Sequence, residues 1–206
     1  MAIAATRPPV HPLRRDVSAW LLIPVLAGAL VAIALGTYGQ VHDPAGKLIF
    51  RLFFTTTLNM KVWFGTFAVM LAVVQVLTSL RFFDVIRWPA PQPRWTVPVH
   101  RWSGILAFAV TLPVAYHCLW SLGFGDETPR RLAHSLAGCA FYGALVTKLF
   151  ILRSERPWPP FSSNPSPGFW PGWVLGLAGG AVFTALVVVW YSSSLWFFRT
   201  IGFPQF

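Results

Sequence analysis

Five stretches of this chain are so long and so apolar that water cannot be their solvent. About 20 apolar residues carry a helix across hydrocarbon, and such runs lie at approximately Val17–Tyr38, Met60–Leu80, His100–Leu122, Arg131–Leu152 and Pro171–Phe198. A backbone in lipid must satisfy its own hydrogen bonds, which a helix does within one segment. The predicted fold class is therefore all-α, a polytopic transmembrane bundle of five helices. Residues 1–206 form one integral membrane domain, because the connections leave no room for a second, soluble one.

Composition agrees. Of the 206 residues, 55% are hydrophobic and 11% charged, against roughly a quarter charged in soluble domains. The net charge of +10 would suit nucleic acid only if the basic residues shared a face. They are scattered between apolar runs as flanking anchors, so no nucleic-acid partner is expected. The two cysteines, Cys118 and Cys139, are too few for a disulfide framework, and counting inward places them at different depths, as free thiols. No CxxC pair suggests zinc, and no CxxCH sequence allows covalent c-type haem attachment.

Arg14 and Arg15 precede the first run, as in a signal peptide, but its apolar length exceeds the about 7–15 residues of a signal core. It reads as a retained helix, with cleavage after Ala32–Ala34 as the alternative. Arg7, Arg14, Arg15, Arg81, Arg87, Arg94, Arg101, Lys148, Arg153 and Arg156 fall on one side, and Lys47, Arg51, Lys61, Arg130, Arg131 and Arg199 on the other. The larger set marks the inner face, giving a cytoplasmic N-terminus and an outer C-terminus. "GQVHDPAGKLIFRLFFTTTLN" is expected to lie partly along the outer interface. "RWPAPQPRW" reads as a stiff inner turn, and "RSERPWPPFSSNPSPGFWPGW" as an irregular connection.

His117 lies about one turn from the outer end of the third run, and His134 about one turn into the fourth. The short "SLGFGDETPR" between them makes those helices antiparallel neighbours, so at about 1.5 Å per residue the imidazoles share a depth. Two such imidazoles can bind an iron porphyrin axially from opposite faces. Gly138, four residues after His134, lies on the same helix face and leaves room for a flat macrocycle. Arg130 and Arg131 stand where propionates would emerge, and Ser135 is a candidate hydrogen-bond partner for the ligand. Pro113, four residues before His117, can kink the third helix. The competing reading makes both histidines interhelical hydrogen-bonding groups, but ionisable residues inside membrane segments mark function more often.

His100 has no counterpart near the inner end of the fourth run, so a second bis-histidine haem is unsupported, and an interfacial cap or hydrogen-bonding partner is expected there. His42, in "VHDPAGK", can cover the site, relay a proton or join a copper cluster, although a turn histidine beside Asp43 and Pro44 is preferred. His11 is assigned no role. Gln75 is expected to hold a helix contact rather than a quinone. Lys61 and Lys148 are expected to snorkel.

The blocks "VHRWSGILAFAVTLPVAYHCLWSLGF", "AHSLAGCAFYGALVTKLFILRS" and "GQVHDPAGK" resemble a bacterial family of five-helix membrane proteins of unknown function. The likeness implies a plasma-membrane architecture and supplies no activity. More distantly, histidines on consecutive helices and the "HRW–G" opening are similar to membrane cytochromes b of the ferric-reductase and ascorbate-reducible type. That likeness implies His117 and His134 as axial ligands of one haem b, without the second pair. The expected function is a cytochrome b-like electron carrier, a subunit or partner of a respiratory oxidoreductase rather than a complete enzyme. Its partners would be lipid, other membrane or periplasmic redox subunits, and a possible quinone. The alternatives are a copper- or zinc-handling protein using His42, His117 and His134, and a non-catalytic scaffold or assembly subunit.

Overall fold

The computed structural model describes residues 17–47, 51–154 and 170–203. The N-terminal arginines, His11, Arg156 and most of the "RSERPWPPFSSNPSPGFWPGW" connection lie outside the described residues. All regular structure described is helical: α1 (Val17–Val41), α2 (Thr57–Phe82), α3 (Thr96–Tyr116), α4 (Pro129–Ser154), α5 (Gly172–Trp190) and a short α6 (Trp196–Thr200). Two π-helical turns interrupt this order. His117–Leu122 continues α3, and Tyr191–Leu195 joins α5 to α6. Five helical spans are thus long and apolar enough to cross a membrane: Leu21–Val41, Thr57–Phe82, Thr96–Leu122, Pro129–Ser154 and Gly172–Thr200. Leu26, Leu30 and Leu177 are among the many large apolar side chains facing outward, more than 60% exposed, as lipid contact requires.

Where helices start earlier than apolarity predicts, polar residues explain it. The Thr56 hydroxyl accepts from the Asn59 N–H at 3.0 Å and caps α2, so "TTTLN" is helix entry rather than loop. α3 begins at Thr96, whose N–H donates to the Pro93 carbonyl at 3.1 Å. His100 is consequently one turn inside α3, with Nδ1 2.7 Å from the Thr78 hydroxyl. The Gln75 amide on α2 donates to the His100 carbonyl and to the Ser103 hydroxyl. It is the helix contact expected.

α2 packs on α3 and α5, α4 packs on α5 and α1, and the backbones of α3 and α4 stay apart. The two helices expected to be antiparallel neighbours thus flank a gap instead of packing backbone to backbone. Side chains bridge it at mid-height, where Tyr142 donates to the Thr111 hydroxyl at 3.0 Å and meets Phe108 edge-on. Below the gap, Ala68, Ala72, Phe141 and Leu186 join three helices in one buried cluster. Ile151, Trp170, Val174 and Ala178 form a second cluster on α4, α5 and the approach to α5.

α1 lies outside the ring of four and is pinned to α4 by small residues. Gly28, Ala32 and Gly36 face Thr147, Gly143 and Cys139 in antiparallel register. Thr147 also donates to the Pro24 carbonyl at 3.2 Å, beside the proline that lacks a donor of its own. Such small-residue stripes let membrane helices approach at backbone distance.

At the other end of the bundle, buried Arg81 donates to the carbonyls of Ile86 and Pro89 at 3.2 and 2.9 Å and pairs with Asp84 at 3.4 Å. It ties down the connection between α2 and α3. Arg81→Met removes those bonds, so faster tryptic cleavage at Arg87 and Arg94 is expected; an unchanged rate would show that the prolines alone hold this turn.

Candidate functional site

The gap between α3 and α4 widens toward the end holding both π-turns and becomes a cavity of about 370 Å³, within the size range of small-molecule sites. Its wall includes His134, Gly138, Arg130 and Arg131, four of the five residues expected from sequence, together with Cys118 and Lys61. A Cβ built on Gly138 meets nothing within 4 Å, so the missing side chain does leave open space. Phe141 and Leu186 belong to both the cavity and the buried cluster beneath it.

His134 is oriented by hydrogen bonds. Its Nδ1 lies 3.1 Å from the Ser192 hydroxyl, which donates to the Val188 carbonyl at 2.7 Å. A Ser192 hydroxyl turned to Val188 accepts from a His134 ring N–H at Nδ1, the tautomer that leaves the lone pair on Nε2, and the Cys118 side chain is a second partner of this ring. A metal-binding histidine is commonly arranged this way. The partner is Ser192, however, and not Ser135, which exchanges hydrogen bonds with the Gly125 backbone at 3.0 and 3.1 Å and fastens the α3–α4 connection.

His117 is 3% exposed, and neither ring nitrogen has a hydrogen-bond partner. It opens the π-turn at the same end of the bundle as His134, but it does not line the cavity. Its ring lies within electrostatic reach of Lys61 on α2, while its neighbour Cys118 interacts with both Lys61 and His134. Burying an unpartnered polar group costs about 1–3 kcal/mol. Both cysteines are free and half-buried, and both line the cavity.

Arg130 donates to the Ser192 carbonyl at 2.7 Å and places its guanidinium 4.0 Å over the Trp196 ring. Arg131 pairs with Glu127 at 2.8 Å. The Glu127 carboxyl, outside the spanning helices, is held below the usual carboxylate range by its own backbone N–H and by Arg131. Lys61, expected to snorkel, stands half-buried in the cavity wall.

Sequence reading also missed the serines of "YSSSL". Ser193 and Ser194 line the cavity, and Ser194 is 1% exposed with an unpartnered hydroxyl. The available signal was three consecutive hydroxyls near the outer end of an apolar helix, at the depth of both histidines. π-Turns inside helices recur at functional sites, and here both border one cavity.

His42 does not join the site. It stacks between Tyr38 and Trp120, with Nε2 3.3 Å from the Trp120 carbonyl. The segment after it lies along the π-turn of α3: the N–H groups of Ala45 and Gly46 donate to the carbonyls of Trp120 and Ser121, both at 3.2 Å, and Ser121 donates to the Lys47 carbonyl at 2.8 Å. Among the described residues, no group of three or more His, Cys, Asp or Glu side chains is arranged to hold a metal ion. The three-histidine copper or zinc cluster is not assembled.

Residues 21–205 match the profile of a family described as being of unknown function, DUF6529. No curated protein and no solved structure matches the chain. The more distant likeness to ferric-reductase and ascorbate-reducible cytochromes b finds no support in these comparisons.

Proposed function

The chain belongs to the DUF6529 family of unknown function, and from that premise we propose that it is a membrane-bound electron carrier holding one haem b between α3 and α4. The observation that carries the reading is His117, an imidazole 3% exposed with no hydrogen-bond partner, at the same end of the bundle as a cavity lined by His134. Bis-histidine ligation requires the His117 ring to turn from its place beside Lys61 into the cavity. Gly138 clears the space a flat ligand needs, and Ser192 orients the His134 ring through Nδ1. Arg130 and Arg131, near the loop end of the cavity, would face the propionates.

Bound haem supplies one-electron chemistry at iron. The chain supplies ligand orientation, an apolar surround and positive charge, which set the potential. The location is the bacterial plasma membrane, N-terminus inside, with the site near the outer face. Donors and acceptors would be other membrane or periplasmic redox subunits, or a quinone. One haem without a second bis-histidine pair suits electron exchange at one face rather than a relay across the bilayer.

The test is a reduced-minus-oxidised visible spectrum of protein purified in mild detergent from haem-supplied cells, beside His117→Ala and His134→Ala. A b-type signal in the wild type and its loss in both variants is the expected result. Loss in His134→Ala alone would remove His117 from the ligand set. A flat wild-type spectrum from folded protein would sink the haem reading and leave the scaffold one.

A further inference from the structure

The cavity wall carries more cationic groups than carboxylates, with Lys61, Arg130 and Arg131 against Glu127. Glu127 is the carboxylate among its lining residues, and it is paired with Arg131. Lys61 and Arg130 have no carboxylate against them, and Lys61 has the Cys118 thiol as its side-chain partner; among the described residues the remaining ion pair is Arg81–Asp84, at the opposite end. Cations held in an apolar membrane site without a counter-charge are costly, and most of this wall is apolar.

Both cations stand on helices that meet the second π-turn. A Cβ placed on Gly65, one turn along α2 from Lys61, would lie 2.9 Å from the Ser194 hydroxyl. Ser194 therefore faces the helix surface that bears Lys61. From α4, Arg130 reaches the same segment, bonding the Ser192 carbonyl and covering Trp196. The buried, unpartnered Ser194 hydroxyl supplies a donor without a bond. An ammonium, a guanidinium and a spare O–H, closed in by Leu58, Val62 and Phe197, suit one ligand class.

We propose that Lys61, Arg130 and Ser194 form an anion seat for an amphiphile with an apolar body and a carboxylate end. Lys61 is its principal anchor, because Arg130 already has a carbonyl and a ring to engage, whereas Lys61 has the Cys118 thiol alone. The inference deepens the haem reading, since the propionates of a haem are such carboxylates, but it does not require iron.

Metal-free protoporphyrin IX and its dimethyl ester separate the two. They share the macrocycle, neither offers iron to a histidine, and the diacid alone carries charge. Binding to the full-length protein in detergent is followed by porphyrin fluorescence. The diacid is expected to bind at least about tenfold more tightly than the diester, as one charge-assisted contact implies. Lys61→Met is expected to remove most of that preference and Lys61→Arg to restore it, with diester binding unchanged in both, which also reports an intact cavity. Equal binding of diacid and diester, or a Lys61→Met variant that keeps the preference, overturns the proposal. Displacement of the diacid by oleate but not by methyl oleate would identify a single-chain carboxylate as sufficient; no displacement would restrict the seat to the porphyrin dicarboxylate. Carboxylate-dependent binding beside a flat haem spectrum would retire the haem reading and keep the anion seat. A haem spectrum without carboxylate preference would do the reverse.

Discussion

Gly143→Leu is expected to separate α1 from the bundle. A Cβ at this position would come within 2.6 Å of the Gly28 carbonyl oxygen and 2.9 Å of the Ala32 side chain. A backbone oxygen in the middle of a helix cannot swing aside as the end of a flexible side chain can, so the helices themselves must part. Overpacking of a well-packed contact costs about 1–3 kcal/mol and sometimes more; a bulky residue at a backbone-to-backbone crossing belongs at the upper end of that scale. Thermal unfolding in detergent should show a markedly lower midpoint. Limited proteolysis should release the α1 segment before the rest. Wild-type stability would mean that the Gly28–Gly143 crossing does not hold the two helices together.

Gly138→Leu, five residues earlier on the same helix, is expected to leave the fold intact and empty the site. Nothing lies within 4 Å of a Cβ there, so the leucine projects into open cavity rather than into a neighbouring helix. It would occupy volume beside His134 that a macrocycle must use, and a loss of at least about tenfold in porphyrin binding is expected with an unchanged unfolding midpoint. Gly138→Ala should have a much smaller effect. If Gly138→Leu binds porphyrin as the wild type does, the ligand does not lie along this face of α4. The two glycines thus separate what holds the bundle together from what the bundle holds.

Sequence made the spans legible because apolar length is a property of each segment alone. It also placed His117 and His134 at one end, since a short connection fixes relative depth. Helix rotation was not legible. The His117 side chain is directed by a π-turn, which accommodates an extra residue and changes the phase of everything after it, and "YHCLWSL" contains no residue that announces one. The same displacement in "YSSSL" carries Ser192 to His134 and Ser194 to Gly65. A regular helical wheel drawn through Tyr191 would not anticipate both contacts. The cavity-wall position of Lys61 was not legible for a related reason: a lysine one turn inside a helix usually reaches back to water, and only the separation of α3 from α4 opens a space beside it. The α1–α4 crossing was present in the sequence as Gly28, Ala32 and Gly36 against Cys139, Gly143 and Thr147, yet spacing of four on each helix does not say which stripes meet.

That crossing also sets an order of events. The hydrogen bond from Thr147 to Pro24 joins residues 123 positions apart, and the glycine face of α1 has its counterpart on the fourth span to be made. Synthesis proceeds from the N-terminus, so α1 is made before α2 and α3, and the stripe it packs against is made only after both. Until α4 arrives, the wall that carries His134 and Gly138 does not exist, and the face of α3 that will border the cavity is open to lipid. Of the five spans, α1 waits through two others before the helix it is pinned to exists.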